Sequence, residues 1–165
     1  MQKLIKDGVV INDDPWTLIE DSECDLNAAL DQSPVILPLS VWLENNDLVA
    51  GNSNVGVWLA PDQEPDSLAE HLAAIPLIAI QFPAFADGRG YSHARRLRLN
   101  FDYAKEIRAF GDVLRDQLLF YKRCGFTSFC LRDDSNLENA LNGLEDFSVF
   151  YQDAADQIEP PFRRH

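Results

Sequence analysis

From residue 82 to 92 the chain reads Phe-Pro-Ala-Phe-Ala-Asp-Gly-Arg-Gly-Tyr-Ser, and the types best suited to chemistry gather here. Gly88 and Gly90 flank Arg89, and Tyr91-Ser92 open a segment whose apolar spacing predicts a helix. Glycine-rich backbone before a helix N-terminus exposes N–H groups and the positive end of a dipole, a setting that suits an anion. Arg89 adds a planar, always-charged fork that matches sulfate, phosphate or carboxylate oxygens. A plainer reading gives Gly88 and Gly90 to turn conformations, Ser92 to an N-cap and Arg89 to solvent. Asp87 either pairs with Arg89 and holds it, or repels an anion.

Arg95, Arg96 and Arg98 follow on the same helix, expected from Ser92 to Phe101, with Ala94, Leu97 and Phe101 as its inward stripe. Arg95 and Arg98, three residues apart, share a face. A second group lies in Gly111-Asp112-Val113-Leu114-Arg115-Asp116, where a strand is expected to give way to a helix running to Cys124. There Asp112, Arg115 and Asp116 share one helical face, and Asp112 is placed to be the N-cap. Two carboxylates one turn apart could also share a proton or hold a metal. No catalytic assignment follows. The anion- or partner-binding candidates are Asp87, Arg89, Tyr91, Ser92, Arg95, Asp112, Arg115 and Asp116.

Other chemistry is poorly supplied. His71, His93 and His165 have no partner at ligand spacing, so no metal site is expected. Cys24, Cys124 and Cys130 form no close pair, which argues for a reducing compartment, and Cys124 and Cys130 read as small buried hydrophobes. Neither a G-x-G-x-x-G fingerprint nor a Walker lysine occurs, so no cofactor is expected.

The elements that must position these residues fit one domain. The chain has 165 residues, 46% apolar and 25% charged, enough for a core without disulfide or metal staples. Its longest apolar run falls far short of the ~20 residues of a membrane span, and the N-terminus lacks a signal-peptide apolar region. A formal charge of −13 argues against nucleic acid. The expectation is a cytoplasmic protein bound to neither membrane nor nucleic acid, its oligomeric state open. The charge is uneven: residues 82–132 hold ten of the fourteen cations and a net +5, against −12 before them and −6 after. That segment is either two helices with basic solvent faces or a local anion-binding surface.

Leu4-Ile5-Lys6, Asp7-Gly8 and Val9-Val10-Ile11 predict a hairpin, Asp-Gly supplying the positive φ of its turn. Short helices are expected at residues 26–30 and 40–44, and a strand at 35–37. From Val55 onward strands at 55–59, 77–81, 106–110 and 126–131 alternate with helices at 66–74, 92–101, 112–124 and 136–141. Ser67 and Glu70 stand at capping-box spacing. This rhythm implies right-handed βαβ crossovers. The expected fold is α/β, a mostly parallel sheet of about four βα units, either an open three-layer sheet or an incomplete β/α barrel. Residues 1–50 form an N-terminal hairpin and helical appendage, 51–145 the βα core and 146–165 a C-terminal tail. The core is expected to hold Val57, Leu59, Ile78, Ile80, Ile107, Phe129 and Leu131. Function should gather at the carboxyl ends of the strands.

Two blocks carry a family resemblance. The first is Phe82-Pro83, Phe85, Asp87-Gly88-Arg89-Gly90-Tyr91-Ser92, Ala94-Arg95 and Leu97-Arg98. The second is Glu106, Arg108-Ala109, Gly111-Asp112-Val113, Arg115-Asp116-Gln117 and Arg123-Cys124-Gly125-Phe126. In order and spacing they resemble a bacterial family of unknown function described as an oxidoreductase of sulfite reduction. Its genes lie beside those for the sirohaem sulfite reductase of sulfur assimilation. The resemblance implies a pathway more than a reaction. With no cofactor motif in the chain, it implies an accessory protein acting with sulfite reductase or its electron donor. The alternative is an enzyme binding a small oxyanion substrate at the strand carboxyl ends.

Overall fold

The computed structural model describes residues 2–84, 86–132 and 136–148. Gln2–Lys6 (β1) and Val9–Asp14 (β2) form an antiparallel hairpin. Its turn residues Asp7 and Gly8 have φ of +51° and +79°, the left-handed pair that a tight hairpin loop needs. Six further strands follow: Thr17–Leu18 (β3), Val35–Pro38 (β4), Val55–Leu59 (β5), Leu77–Phe82 (β6), Glu106–Gly111 (β7) and Ser128–Phe129 (β8). They pair in parallel, each with the next in sequence. The helices are Leu26–Leu30 (α1), Leu39–Glu44 (α2), Asn46–Val49 (α3), Arg89–Leu99 (α4), Leu118–Cys124 (α5) and Leu137–Ser148 (α6).

The sheet corrects the expected one. It has eight strands in the order β2-β1-β8-β7-β6-β5-β4-β3, and it is mixed: β1 runs antiparallel to both β2 and β8. The hairpin is therefore no appendage. It completes one edge, because the short β8 leaves backbone N–H and C=O groups that β1 pairs. Nor is the sheet an open three-layer one of about four βα units. β2 and β3 stand at opposite edges, yet only Pro15 and Trp16 separate them in the chain. Eight flat strands would set the edges roughly 34 Å apart, whereas three peptide steps reach about 11 Å. The sheet is curled into a half-barrel, with residues 15–16 bridging its edges.

Curling gives the two faces different covers. On the convex face Val57, Leu59, Ile78, Ile80, Phe82, Ile107, Ala109 and Phe129 pack against helix residues such as Trp42, Leu97, Tyr121 and Leu141. All seven expected core residues are buried, Leu131 included. The concave face holds a second, smaller cluster of Leu4, Ile36, Leu77, Ala79, Phe110 and Cys130, edged by Trp16, Leu18 and Trp58.

Several elements differ in extent from their sequence expectation. Two short 3₁₀ turns, Pro65–Leu68 and Leu72–Ala74, replace the one capped helix expected over 66–74, with Leu68 and Leu72 each buried from its own turn. The helix expected from 112 begins only at Leu118, after a 3₁₀ turn at 115–117, since Gly111 leaves β7 with φ +101°. β8 keeps only two residues of the expected 126–131 strand. α6 extends through Ser148 into the expected tail, of which residues 149–165 lie outside the described residues.

Candidate functional site

The motif loop joins β6 to α4. α4 starts at Arg89, three residues before the expected helix, so Ser92 is exposed within the helix and caps nothing. Asp87 supplies the missing acceptor. Its Oδ1 accepts from the Arg89 backbone N–H at 3.2 Å and from Nε at 3.1 Å, and its Oδ2 accepts from Nη2 at 2.8 Å. These bonds from Arg89 hold the Asp87 carboxyl below the usual carboxylate range. The position expected for an external oxyanion is thus held by the chain's own carboxylate. Gly90 serves close packing: a Cβ there would lie 2.6 Å from Phe82 Cζ.

Tyr91 and Arg95, one turn apart on α4, face α5. The Tyr91 ring stacks on Phe120 at 4.5 Å and 9°, and its hydroxyl donates to Gln117 Oε1 at 3.3 Å. Phe120 is 48% exposed. One turn beyond Phe120, burial raises the Cys124 thiol pKa, while Arg95 and Arg123 beside it pull the other way. The α4–α5 seam therefore presents an aromatic stack with two exposed arginines.

The basic segment is less basic at its surface than its composition. Arg98 is buried and donates to the carbonyls of Gly125, Tyr103 and Lys105 at 2.7–2.9 Å, tying α4 to the end of α5. Arg96 forms a two-bond pair with Asp66, both at 2.6 Å. Arg132 Nη1 donates to Asp112 Oδ1 at 2.7 Å, so Asp112 is an ion-pair partner and not the expected N-cap.

The second candidate group lies after β7. Arg115, Asp116 and Arg132 line a surface space of about 430 Å³ with Asn136 and Ala140. The Asn139 side-chain oxygen, oriented by its hydrogen bonds, accepts from both terminal nitrogens of Arg115, at 2.7 and 3.2 Å. The Tyr91–Gln117 bond links this group to the seam, so the candidates form two neighbouring sets. Asp87 and Arg89 close on each other, while Tyr91 and Arg95 open on the seam. Residues 133–135 lie outside the described residues.

One cluster escaped the sequence reading. Arg108, 2% exposed, bonds Asp14, Glu106 and Ser128 on the concave face. Lys6 adds an ion pair to Glu106 at 3.0 Å. Burial pushes the Glu106 carboxyl up, but Arg108, Ser128 and Lys6 outweigh it, and its pKa is net lowered. A signal for this was present: Glu106, Arg108 and Phe110 alternate with the apolar Ile107 and Ala109 along one strand. Among the described residues no group of three His, Cys, Asp or Glu side chains could hold a metal ion, and no helix is long and apolar enough to cross a membrane.

Residues 56–162 match the family described as bacterial protein of unknown function (DUF934), and the chain belongs to that family. No curated protein matches the chain. The match takes in both motif blocks, β5 to β8, and the helices of the seam.

Proposed function

We propose that this family member is an accessory docking protein of assimilatory sulfite reduction, meeting the sirohaem sulfite reductase or its electron donor through the α4–α5 seam. The Tyr91–Phe120 stack carries the docking part. Phe120 is the only aromatic among the large exposed hydrophobics of the described residues, and Arg95 and Arg123, both beside Cys124 one turn on, lie on the same seam. Tyrosine and arginine are enriched among the residues that dominate binding energy at interfaces. Basic groups on a chain of net charge −13 favour an acidic patch on the partner and orient its approach. The pathway part rests on the resemblance of the two sequence blocks in residues 82–126.

The test measures binding of the purified chain to sulfite reductase and to its electron donor at low and high salt. Salt-sensitive binding to one of them is expected, weakened at least about tenfold by Phe120→Ala, the scale of an interface anchor. Arg95→Glu should weaken it further at low salt. Failure to bind either protein at low salt would overturn the docking partner. Growth of a deletion strain on sulfate and sulfite as well as on cysteine would overturn the pathway separately.

A further inference from the structure

The concave face, on the other side of the sheet from the seam, holds a partly open cavity of about 210 Å³. We propose that this cavity is a binding site for a small, uncharged aromatic molecule bearing one carbonyl or hydroxyl oxygen.

Three observations define the occupant. The first is size and lining. Trp16, Ile36, Ala79, Phe110 and Cys130 form walls that are apolar and partly aromatic. An engineered apolar cavity of about 150 Å³ holds benzene, so this one accommodates a six-membered ring with a short substituent. The second is a single donor. Arg108 also lines the cavity, and its guanidinium carries five N–H groups. Nε donates to Glu106 and Ser128, and Nη2 to Asp14 and Glu106. Nη1 donates one bond, to Asp14 at 2.8 Å, and among the described residues no second acceptor meets it. That leaves Nη1 a second N–H that a ligand oxygen in the cavity could accept.

The third observation is charge. Asp14 and Glu106 already match Arg108, and Glu20 also lines the cavity. An anionic ligand would meet the Glu20 carboxylate with no unmatched cation in the lining, whereas a neutral acceptor needs only the N–H. Position agrees with a binding role, because Gly111 and Leu131 place one side of the cavity at the carboxyl ends of β7 and β8.

The test titrates the ¹⁵N-labelled full chain with benzamide, benzoate and toluene, following the backbone amides of Ala79, Phe110, Gly111 and Cys130. Benzamide should shift these amides saturably at submillimolar to low-millimolar concentration. Benzoate, of the same shape but charged, and toluene, without an acceptor, should each bind at least fivefold more weakly. Ala79→Leu fills the cavity and should abolish the benzamide shifts while the remaining spectrum stays native. Leu18→Trp, on the half-buried edge strand, blocks the same space if the first variant does not fold. No saturable benzamide binding by 10 mM would overturn the proposal. So would equal binding of benzoate, or benzamide binding that survives in a folded cavity-filled variant.

Discussion

Asp14 and Arg108, 94 positions apart in the chain, meet through two hydrogen bonds of 2.8 and 3.2 Å with both side chains buried. This pair joins the end of β2 to the middle of β7, three strands away in the sheet, so it spans the concave face of the half-barrel. Taking two charges out of water is expensive, and their attraction offsets that only while the geometry is intact.

Removing one partner should therefore cost more than the pair contributes. Asp14→Ala leaves a buried guanidinium short of one carboxylate, and a loss of about 3 kcal/mol is expected in urea unfolding at pH 7. The triple variant Asp14→Leu/Glu106→Gln/Arg108→Met, which removes the buried charges together, should recover part of that loss. An Asp14→Ala cost below about 1 kcal/mol would mean that Glu106 alone holds Arg108.

Glu106 sets a pH dependence. Its pKa is lowered in the folded chain from the ordinary 4.5, so its contribution is complete above about pH 4.5 and is lost as pH falls through the folded value. Glu106→Gln should be less stable than the parent at pH 7, with the gap shrinking as unfolding is repeated toward pH 3. A constant gap at all pH values would assign the effect to shape and not to charge.

Gly90 tests why the motif loop carries its second glycine. On an exposed helix, Gly→Ala stabilises by about 1 kcal/mol. Here the new Cβ would stand 2.6 Å from Phe82 Cζ and 2.9 Å from Ile80 Cγ2, in a core where Phe82 also touches Tyr91, Tyr121 and Phe126. Overpacking of this kind costs about 1–3 kcal/mol, so Gly90→Ala should lower Tm by several degrees. A raised Tm would show that α4 can shift off β6.

The Asp87–Arg89 pair predicts how the loop treats oxyanions. An external sulfite, sulfate or phosphate must displace the Asp87 carboxylate from Arg89 and its N–H. Calorimetry should show stronger binding to Asp87→Asn than to the parent, and none once Arg89→Ala is added. Arg89→Lys should behave closer to Arg89→Ala, since it loses the two-point fork. Equal affinities for the parent and Asp87→Asn would mean that Asp87 does not occupy the site.

Thiol chemistry should sort the three cysteines. Burial raises the Cys130 pKa to about 11 and also raises that of Cys124, and both are buried. Cys24 is raised too, by burial and then by Asp21, but it is partly exposed. Iodoacetamide at pH 8 should modify Cys24 alone in the native chain and all three in guanidinium, as read by mass spectrometry. Native modification of Cys130 at a similar rate would show that the concave cavity opens readily to solvent.

Local chemistry made some of this protein legible in its sequence. Asp7-Gly8 encodes a hairpin because few residue pairs tolerate two positive φ angles, and the apolar run from Leu77 to Ile80 encodes a strand buried on both faces. The motif blocks marked the loop and helices where Asp87, Arg89 and Tyr91 lie. What the tertiary structure decided was every relationship between distant segments. A hairpin's periodicity does not say which sheet edge it joins, so only the fold places β1 on β8 and makes the sheet mixed. Nothing local sets a cation's partner either: Arg98 goes to carbonyls, Arg132 to Asp112 and Arg108 to Asp14 because curling and helix packing bring those groups within bonding distance. Period-two alternation declares two faces of a strand, and only the bridge at Pro15 and Trp16 determines that one of them lines a concave pocket.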